Sequence, residues 1–351
     1  MKPIIYSSKT YEKDLIQAIA QTINFEKIFN KTIMITGASG LIGSYLVDVL
    51  LCANRISSAG LVIIAVGRNL HRLQERFSSV KTNALIYLEQ DVNETIQADF
   101  EIDYIIHAAG NAFPAAFNAD PVGTMLSNII GTINLLDYGK SHNAERLLYV
   151  SSGEVYGKMD INNVRFNEAD SGYVDPVQVR SCYPSSKRAA ENLCVSYTKQ
   201  YNLDTVIVRP CHTYGPSATK YDNRANVQFV NNALNNHNII LNSAGTQMRS
   251  YCYVSDMVSA ILTVMINGKS CEAYNIANCD SKITIAEFAN IIAQNTGCKV
   301  VFKSPEKFEL EQHSPVPNQV LDTDKLQSLG WRGTFTPEKG IRHLIASLNG
   351  K

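Results

Sequence analysis

Along the first two-thirds of the chain, apolar runs of strand length alternate with amphipathic stretches of helix length. The strand candidates are TIMIT (32–36), LVIIAVG (61–67), ALIYL (84–88), YIIHAA (104–109), RLLYVS (146–151) and TVIVRP (205–210). Runs that are apolar at consecutive positions belong to strands covered on both faces, and strands separated by helices pair in parallel. Six of them predict an α/β fold built on a doubly wound parallel sheet. Residues 10–29 read as a further amphipathic helix ahead of the first strand, placed to cap the sheet or join an interface. After Pro210 the pattern loosens into separated helices, within 221–234, 249–265 and 284–297, among loops. That predicts a smaller, mostly helical lobe over the carboxyl ends of the strands, where such sheets bind ligands. The expected organisation is an N-terminal extension with a helix (1–30), a sheet domain (31–210) and mainly a substrate-binding lobe (211–351), with the chain free to cross between the last two.

Composition narrows the partners. Of 351 residues, 45% are hydrophobic, enough to fill the core of such a fold. Lys plus Arg equals Asp plus Glu at 32 each, so no overall field draws the chain to nucleic acid or to an anionic membrane. A small-molecule partner is expected. The eight cysteines are scattered without a C-x-x-C pair, which argues against a zinc site, or any metal, and against a disulfide framework. The N-terminus has no apolar targeting core, and no run approaches the ~20 apolar residues that span a bilayer. These features predict a soluble, cytoplasmic protein.

Gly37, Gly40 and Gly43 follow the first strand and open a helix rich in Leu and Val. A glycine turn entering a helix lets a pyrophosphate approach backbone N–H groups at the helix N-terminus, so the sheet is expected to be Rossmann-like and to bind NAD or NADP. Ser39, Leu41 and Ile42 belong to the same turn. The second strand ends in Gly67, Arg68 and Asn69 where an acidic residue commonly holds the adenosine ribose of NAD. Arg68 tilts the choice toward NADP by pairing with a 2′-phosphate, or else stacks on adenine or faces solvent. Asp91, beside Val92, either meets the adenine ring or caps a turn. Ala108 and Ala109, ending the fourth strand candidate, complete the expected cofactor contacts.

In RSCYPSSKRAAE (180–191), Tyr183 and Lys187 lie four residues apart on one face of a predicted helix. A phenol beside an ammonium is an acid/base catalyst. With TGASGLIG (36–43) and YVSSGEVYG (149–157) ahead of it, the segment resembles the extended short-chain dehydrogenase/reductase family, in its nucleotide-sugar epimerase/dehydratase branch. NIIGTINLL (128–136), RPCHTYGPS (209–217), RSYCYVSDM (249–257) and DTDKLQSLGW (322–331) are also similar to segments of that family. The resemblance runs from Lys31 onward.

The resemblance implies that Tyr183 is the acid/base, that Lys187 lowers its pKa and holds the nicotinamide ribose, and that Ser152 hydrogen-bonds the reacting oxygen. An adjacent ammonium and an oxidised nicotinamide both favour the phenolate that the chemistry needs. Asn128, Arg180, His212, Arg224 and Arg249 would face the nucleotide-diphosphate sugar, with Arg249 clamping the diphosphate. His212 stands where the family normally has Asn. Family members that only epimerise at C4 usually carry a small residue two places after the catalytic Ser or Thr, whereas those that eliminate water or carbon dioxide commonly have Glu. Here that position is Glu154, which alternatively is a carboxylate satisfied within a turn. The surroundings of Tyr183 resemble those of UDP-glucuronate decarboxylases, and Gly153 replaces the Asp by which NDP-glucose 4,6-dehydratases protonate the leaving hydroxyl. The implied function is a nucleotide-sugar lyase, decarboxylating or dehydrating, that oxidises C4 transiently with a tightly bound NAD or NADP and works as a homodimer. The alternatives are an NDP-sugar 4-epimerase and a non-catalytic NAD(P)-binding sensor or scaffold.

Overall fold

The computed structural model describes residues 4–159, 165–219, 222–303 and 318–351; positions 1–3 of the N-terminal extension and Tyr221 at the start of a helix candidate lie outside them. Seven parallel strands form the main sheet: β1 (Thr32–Thr36), β2 (Val62–Gly67), β3 (Leu85–Glu89), β4 (Tyr104–His107), β5 (Arg146–Val150), β6 (Thr205–Pro210) and β10 (Ala273–Ile276), in the order β10-β6-β5-β4-β1-β2-β3. The seventh strand was not foreseen. Ala273–Ile276 is four residues long, too short for a periodic signal, and pairs with β6 only because the chain returns from the second lobe.

Side chains alternate across the sheet with the period of a strand. Ile33 and Ile35 of β1, with Ile63 and Ala65 of β2, join one core; Met34, Ile64 and Val66 join the other. Both faces are thus packed, which is why the strands read as continuous apolar runs. The first core lies under α2 (Leu41–Ser57) and α8 (Val254–Asn267), the second under α5 (Pro121–Ser141) and α6 (Cys182–Tyr201).

The expected helix at 10–29 is shorter. It runs over Lys9–Gln21, capped by Ser8, and the chain breaks at Asn24, whose φ of 58° starts a separate turn at Phe25–Ile28. This α1 is fastened at both sides. Tyr11 and Tyr6 donate to Asp48 of α2, which also pairs with Arg76, while Asp14 accepts from Tyr253 (2.7 Å) and meets His343 (2.7 Å). It therefore joins the sheet domain to residues of the C-terminal half.

Beyond β6 the chain forms β7 (His212–Tyr214), α7 (Ala225–Leu234) and β9 (Met248–Tyr253), with β7 and β9 parallel in a small second sheet. After β1 the chain winds outward to β2 and β3, then returns to β4 on the opposite side of β1. The crevice at the carboxyl ends of β1 and β4 is the switch point at which doubly wound sheets bind ligands. No described helix is long and apolar enough to cross a membrane.

Candidate active site

Each wall of the crevice is a strand end followed by a turn. After β1, Gly37 has φ +66°, and a Cβ there would lie 2.6 Å from the Ala108 carbonyl oxygen that follows β4; a Cβ on Gly43 would lie 2.3 Å from the carbonyl of Gly37. Any side chain at either place would push the turn, strand and helix apart. Gly40 caps α2 with no side-chain hydrogen bond, so the N–H groups near Leu41 and Ile42 form a helix N-terminus open to an anion. Ser39 lies within this turn, and Ser217 ties it to the second lobe by donating to the Leu41 carbonyl (2.8 Å).

Farther along the rim, Arg68 is exposed just past β2. Asp91 accepts from the Asn93 amide (2.9 Å), the turn-capping role, and buried Val92 packs on Gly131 of α5. Ala109 donates its amide to Thr36 (3.2 Å), which also bonds His107 (2.9 Å).

The opposite wall carries the chemistry. β5 ends at Val150, and Ser151 and Ser152 lead into a one-turn helix, Gly153–Tyr156, that Ser152 caps by accepting from the Glu154 amide (3.1 Å). Tyr183 and Lys187 occupy the first turns of α6 on one face, both buried. Lys187 donates to the Val150 carbonyl (2.8 Å) and lies 5.9 Å from the Tyr183 ring centre. Burial lowers the Lys187 pKa to about 7, with Glu191 and Cys194 opposing that shift. Burial also pushes Tyr183 up to about 12; its hydrogen bond with Ser152 and the nearby Arg224 and Arg180 pull it back, while Glu154 raises it further. Asn128 of α5 reaches across to Ser186 (3.0 Å), fixing α5 against the catalytic helix.

Glu154 is held by a side chain rather than by the backbone N–H groups of its turn. Both its oxygens accept from Arg180, Oε2 from Nη1 at 3.0 Å and Oε1 from Nη2 at 3.1 Å, an end-on fork. Arg180, grouped from sequence with the substrate contacts, sits on the candidate proton-transfer residue.

Arg249 is buried on β9 and donates to the carbonyl of Met248 (2.9 Å). Arg224, just before α7, is forked onto Asp222 (2.6 to 3.1 Å). Between them His212 of β7 is pushed down to about 3 by burial and by both arginines, so the imidazole is neutral. Arg224 and Arg180 both act on Tyr183, and Arg249 and Arg224 on His212, so the three lie around one site, with Arg180 and Arg224 already paired with Glu154 and Asp222.

Three polar residues that no motif singles out also belong here. His107 and Ser151, at the ends of β4 and β5, have a buried Nε2 and Oγ without a hydrogen-bond partner among the described residues, as does Oδ1 of Asn128. Gln319 donates to the Gly153 carbonyl (2.8 Å) from the far end of the chain. Phe117 of α4 (Pro114–Ala119) lies flat on Tyr183, centres 5.2 Å apart and planes at 14°. An apolar residue in a short loop helix carries no sequence signal for such a role.

A dinucleotide fits these residues. The glycine cradle and bare helix N-terminus suit a pyrophosphate, and the unpaired buried atoms of Asn128, His107 and Ser151 at the strand ends require a polar ligand or water. Fold and site together define a dinucleotide-dependent enzyme of the doubly wound α/β class. Residues 33–277 match the NAD dependent epimerase/dehydratase family, and the chain belongs to it. It is 32% identical over 322 residues to UDP-glucuronic acid decarboxylase 6 of Arabidopsis thaliana, covering 89% of this chain and 87% of that one. In fold it is similar to UDP-glucose 4-epimerase of Thermotoga maritima (TM-score 0.75, 22% identity, 91% and 98% of the two chains). It is likewise similar to dTDP-glucose 4,6-dehydratase of Streptomyces venezuelae, solved with NAD (TM-score 0.75, 23% identity, 91% and 97%).

Proposed function

We propose that the protein is a nucleotide-sugar lyase that oxidises the sugar transiently at C4, its reaction being of the UDP-glucuronate decarboxylase kind. The observation that carries this reading is Glu154, held on the same wall as Ser152 and Tyr183 and two residues beyond Ser152. The identity to a UDP-glucuronic acid decarboxylase supports it.

In this reading residues 31–210 carry the cofactor and mainly 211–351 the sugar nucleotide. Tyr183 takes the proton of the C4 hydroxyl, and Ser152 hydrogen-bonds the same oxygen. When bound, the nicotinamide accepts a hydride from C4 and returns it. A C4 ketone turns a C5 carboxylate into a β-keto acid, which loses carbon dioxide, and Glu154 serves the proton transfer at C5. Lys187, anchored on the Val150 carbonyl, orients Tyr183 and the nicotinamide ribose. Arg249 and Arg224 neutralise the diphosphate, neutral His212 contributes a hydrogen bond, and Asn128 holds the back of the site.

Arg68, exposed past β2, is the basis for assigning NADP over NAD, and the cofactor is retained through turnover. The exposed apolar residues Val122, Met125, Leu126 and Ile130 of α5 and Tyr201 of α6 suit a homodimer, formed in the cytoplasm. A second reading, 4-epimerisation, has one observation in its favour: both oxygens of Glu154 are engaged by Arg180, as in a purely structural carboxylate.

Incubating the purified protein with a panel of nucleotide sugars and weighing the products tests the proposal. Loss of carbon dioxide from UDP-glucuronate supports it. Loss of water from a hexose shifts the lyase to dehydration, and a product of unchanged mass and inverted C4 replaces it with epimerisation.

A further inference from the structure

A guanidinium has two edges able to hold a carboxylate: the end-on edge of Nη1 and Nη2, and the side-on edge of Nη2 and Nε. Glu154 occupies only the first edge of Arg180. Nε of Arg180 is buried and has no hydrogen-bond partner among the described residues. A buried N–H of this kind costs free energy until something accepts from it. The group is held in place rather than floating. Its end-on edge is pinned by Glu154, and its carbon lies 5.7 Å from the ring centre of Phe117, which itself stacks on Tyr183.

The surroundings restrict what the unpaired edge receives. Arg180 precedes Tyr183 by three residues, and both Arg180 and Glu154 act electrostatically on the Tyr183 hydroxyl, where the sugar must react. An anion bound near Glu154 alone would be repelled. With Arg180 between them, one cation faces two carboxylates, each on its own edge.

We propose that Arg180 is the acid-sugar recognition residue of this cleft, its side-on edge receiving the carboxylate of a uronic acid while its end-on edge keeps Glu154. The inference rests on the nucleotide-sugar reading above and deepens it: the substrate class is a nucleotide-linked sugar acid, distinguished from the neutral hexose by this one side chain.

The test is calorimetric binding of UDP-glucuronate and UDP-glucose to the NAD-loaded protein, for the unmodified chain, Arg180→Lys, Arg180→Gln and the double variant Glu154→Gln/Arg180→Gln. The unmodified protein should bind the glucuronate more tightly. Lys keeps the charge without the fork and Gln removes both, so each should lose at least about tenfold of that preference while Kd for UDP-glucose changes by less than about threefold. The double variant should also lack the preference. Its return there would show that Arg180 acts only by neutralising Glu154, and would overturn the inference. So would a preference unchanged in both single variants, or an equal loss for both ligands. Equal binding of the two sugars by the unmodified protein also overturns it, the product-mass assay then judging the proposed reaction separately. Binding of neither removes the proposed function as well.

Discussion

Gln319 donates its side-chain amide to the carbonyl of Gly153 at 2.8 Å, joining a residue near the end of the chain to the turn that carries Ser152 and Glu154. A Cβ at position 153 would lie 3.3 Å from that amide nitrogen and 3.4 Å from the Pro210 carbonyl oxygen. Gln319 thus leaves little spare room for a side chain at position 153. Gly153→Ala should destabilise the protein by ~0.5–1.5 kcal/mol, because Gln319 must shift by a few tenths of an ångström and its hydrogen bond to the Gly153 carbonyl weakens. Gln319→Ala should cost ~0.5–1.5 kcal/mol for the lost hydrogen bond. Because the same atoms are involved, urea unfolding of the double variant should show a loss smaller than the sum. Strict additivity would mean that the two positions do not press on one another.

Tyr183→Phe keeps the ring and its stack on Phe117 but removes the proton acceptor. Cofactor and nucleotide sugar should still bind, while oxidation at C4, followed by nicotinamide absorbance in single turnover, falls by ~10²–10⁴. Near-normal oxidation would take Tyr183 out of the mechanism.

Glu154→Gln preserves shape and cannot exchange a proton. In a lyase the reduced nicotinamide should accumulate with little eliminated product, as seen by rapid-mixing absorbance beside product mass. An epimerase should tolerate the change apart from ~1–3 kcal/mol of stability for the weakened contact with Arg180.

Lys187 provides a pH signature. Its pKa is lowered to about 7 in the folded protein against 10.5 for the ordinary group. Between these values the unfolded chain binds the proton that the folded chain rejects, so stability from this residue rises with pH and is lost as pH falls toward 7. Compared with Lys187→Met, the unmodified protein without cofactor should gain unfolding free energy between pH about 7 and about 9.5 in urea titrations. A difference that does not change with pH would mean that Lys187 keeps its charge when buried.

Arg68 tests the cofactor. If it pairs with a 2′-phosphate, a charge-assisted contact worth ~1.5–3 kcal/mol favours NADP by roughly ten- to a hundredfold, and Arg68→Asp should reverse the order toward NAD. Fluorescence titration with both reduced cofactors measures it. Tighter binding of NAD than NADP by the unmodified chain would leave Arg68 as a solvent-facing residue.

Much of the site was legible because it is local. Gly37, Gly40 and Gly43 mark a turn whose requirement is backbone space, and Tyr183 and Lys187 share a face because four residues make about one helical turn. Asp91 caps its turn by accepting from the Asn93 amide, a contact within two residues. The helix at 10–29 was overextended because apolar spacing continues past Gln21, whereas the break depends on Asn24 adopting a left-handed conformation.

The chain by itself determined the doubly wound sheet, the glycine turn at its switch point and the helix that presents Tyr183 with Lys187, since each depends on periodicity or on spacing within a few residues. Only the tertiary structure decided that Arg180 forks onto Glu154, 26 residues away. The same holds for Phe117 covering Tyr183, for Gln319 closing on Gly153, and for Ala273–Ile276 completing the sheet. The physical reason is that these are single contacts between segments far apart in sequence. No repeat announces them, and their partners are chosen only when the packed core sets the path of the intervening chain.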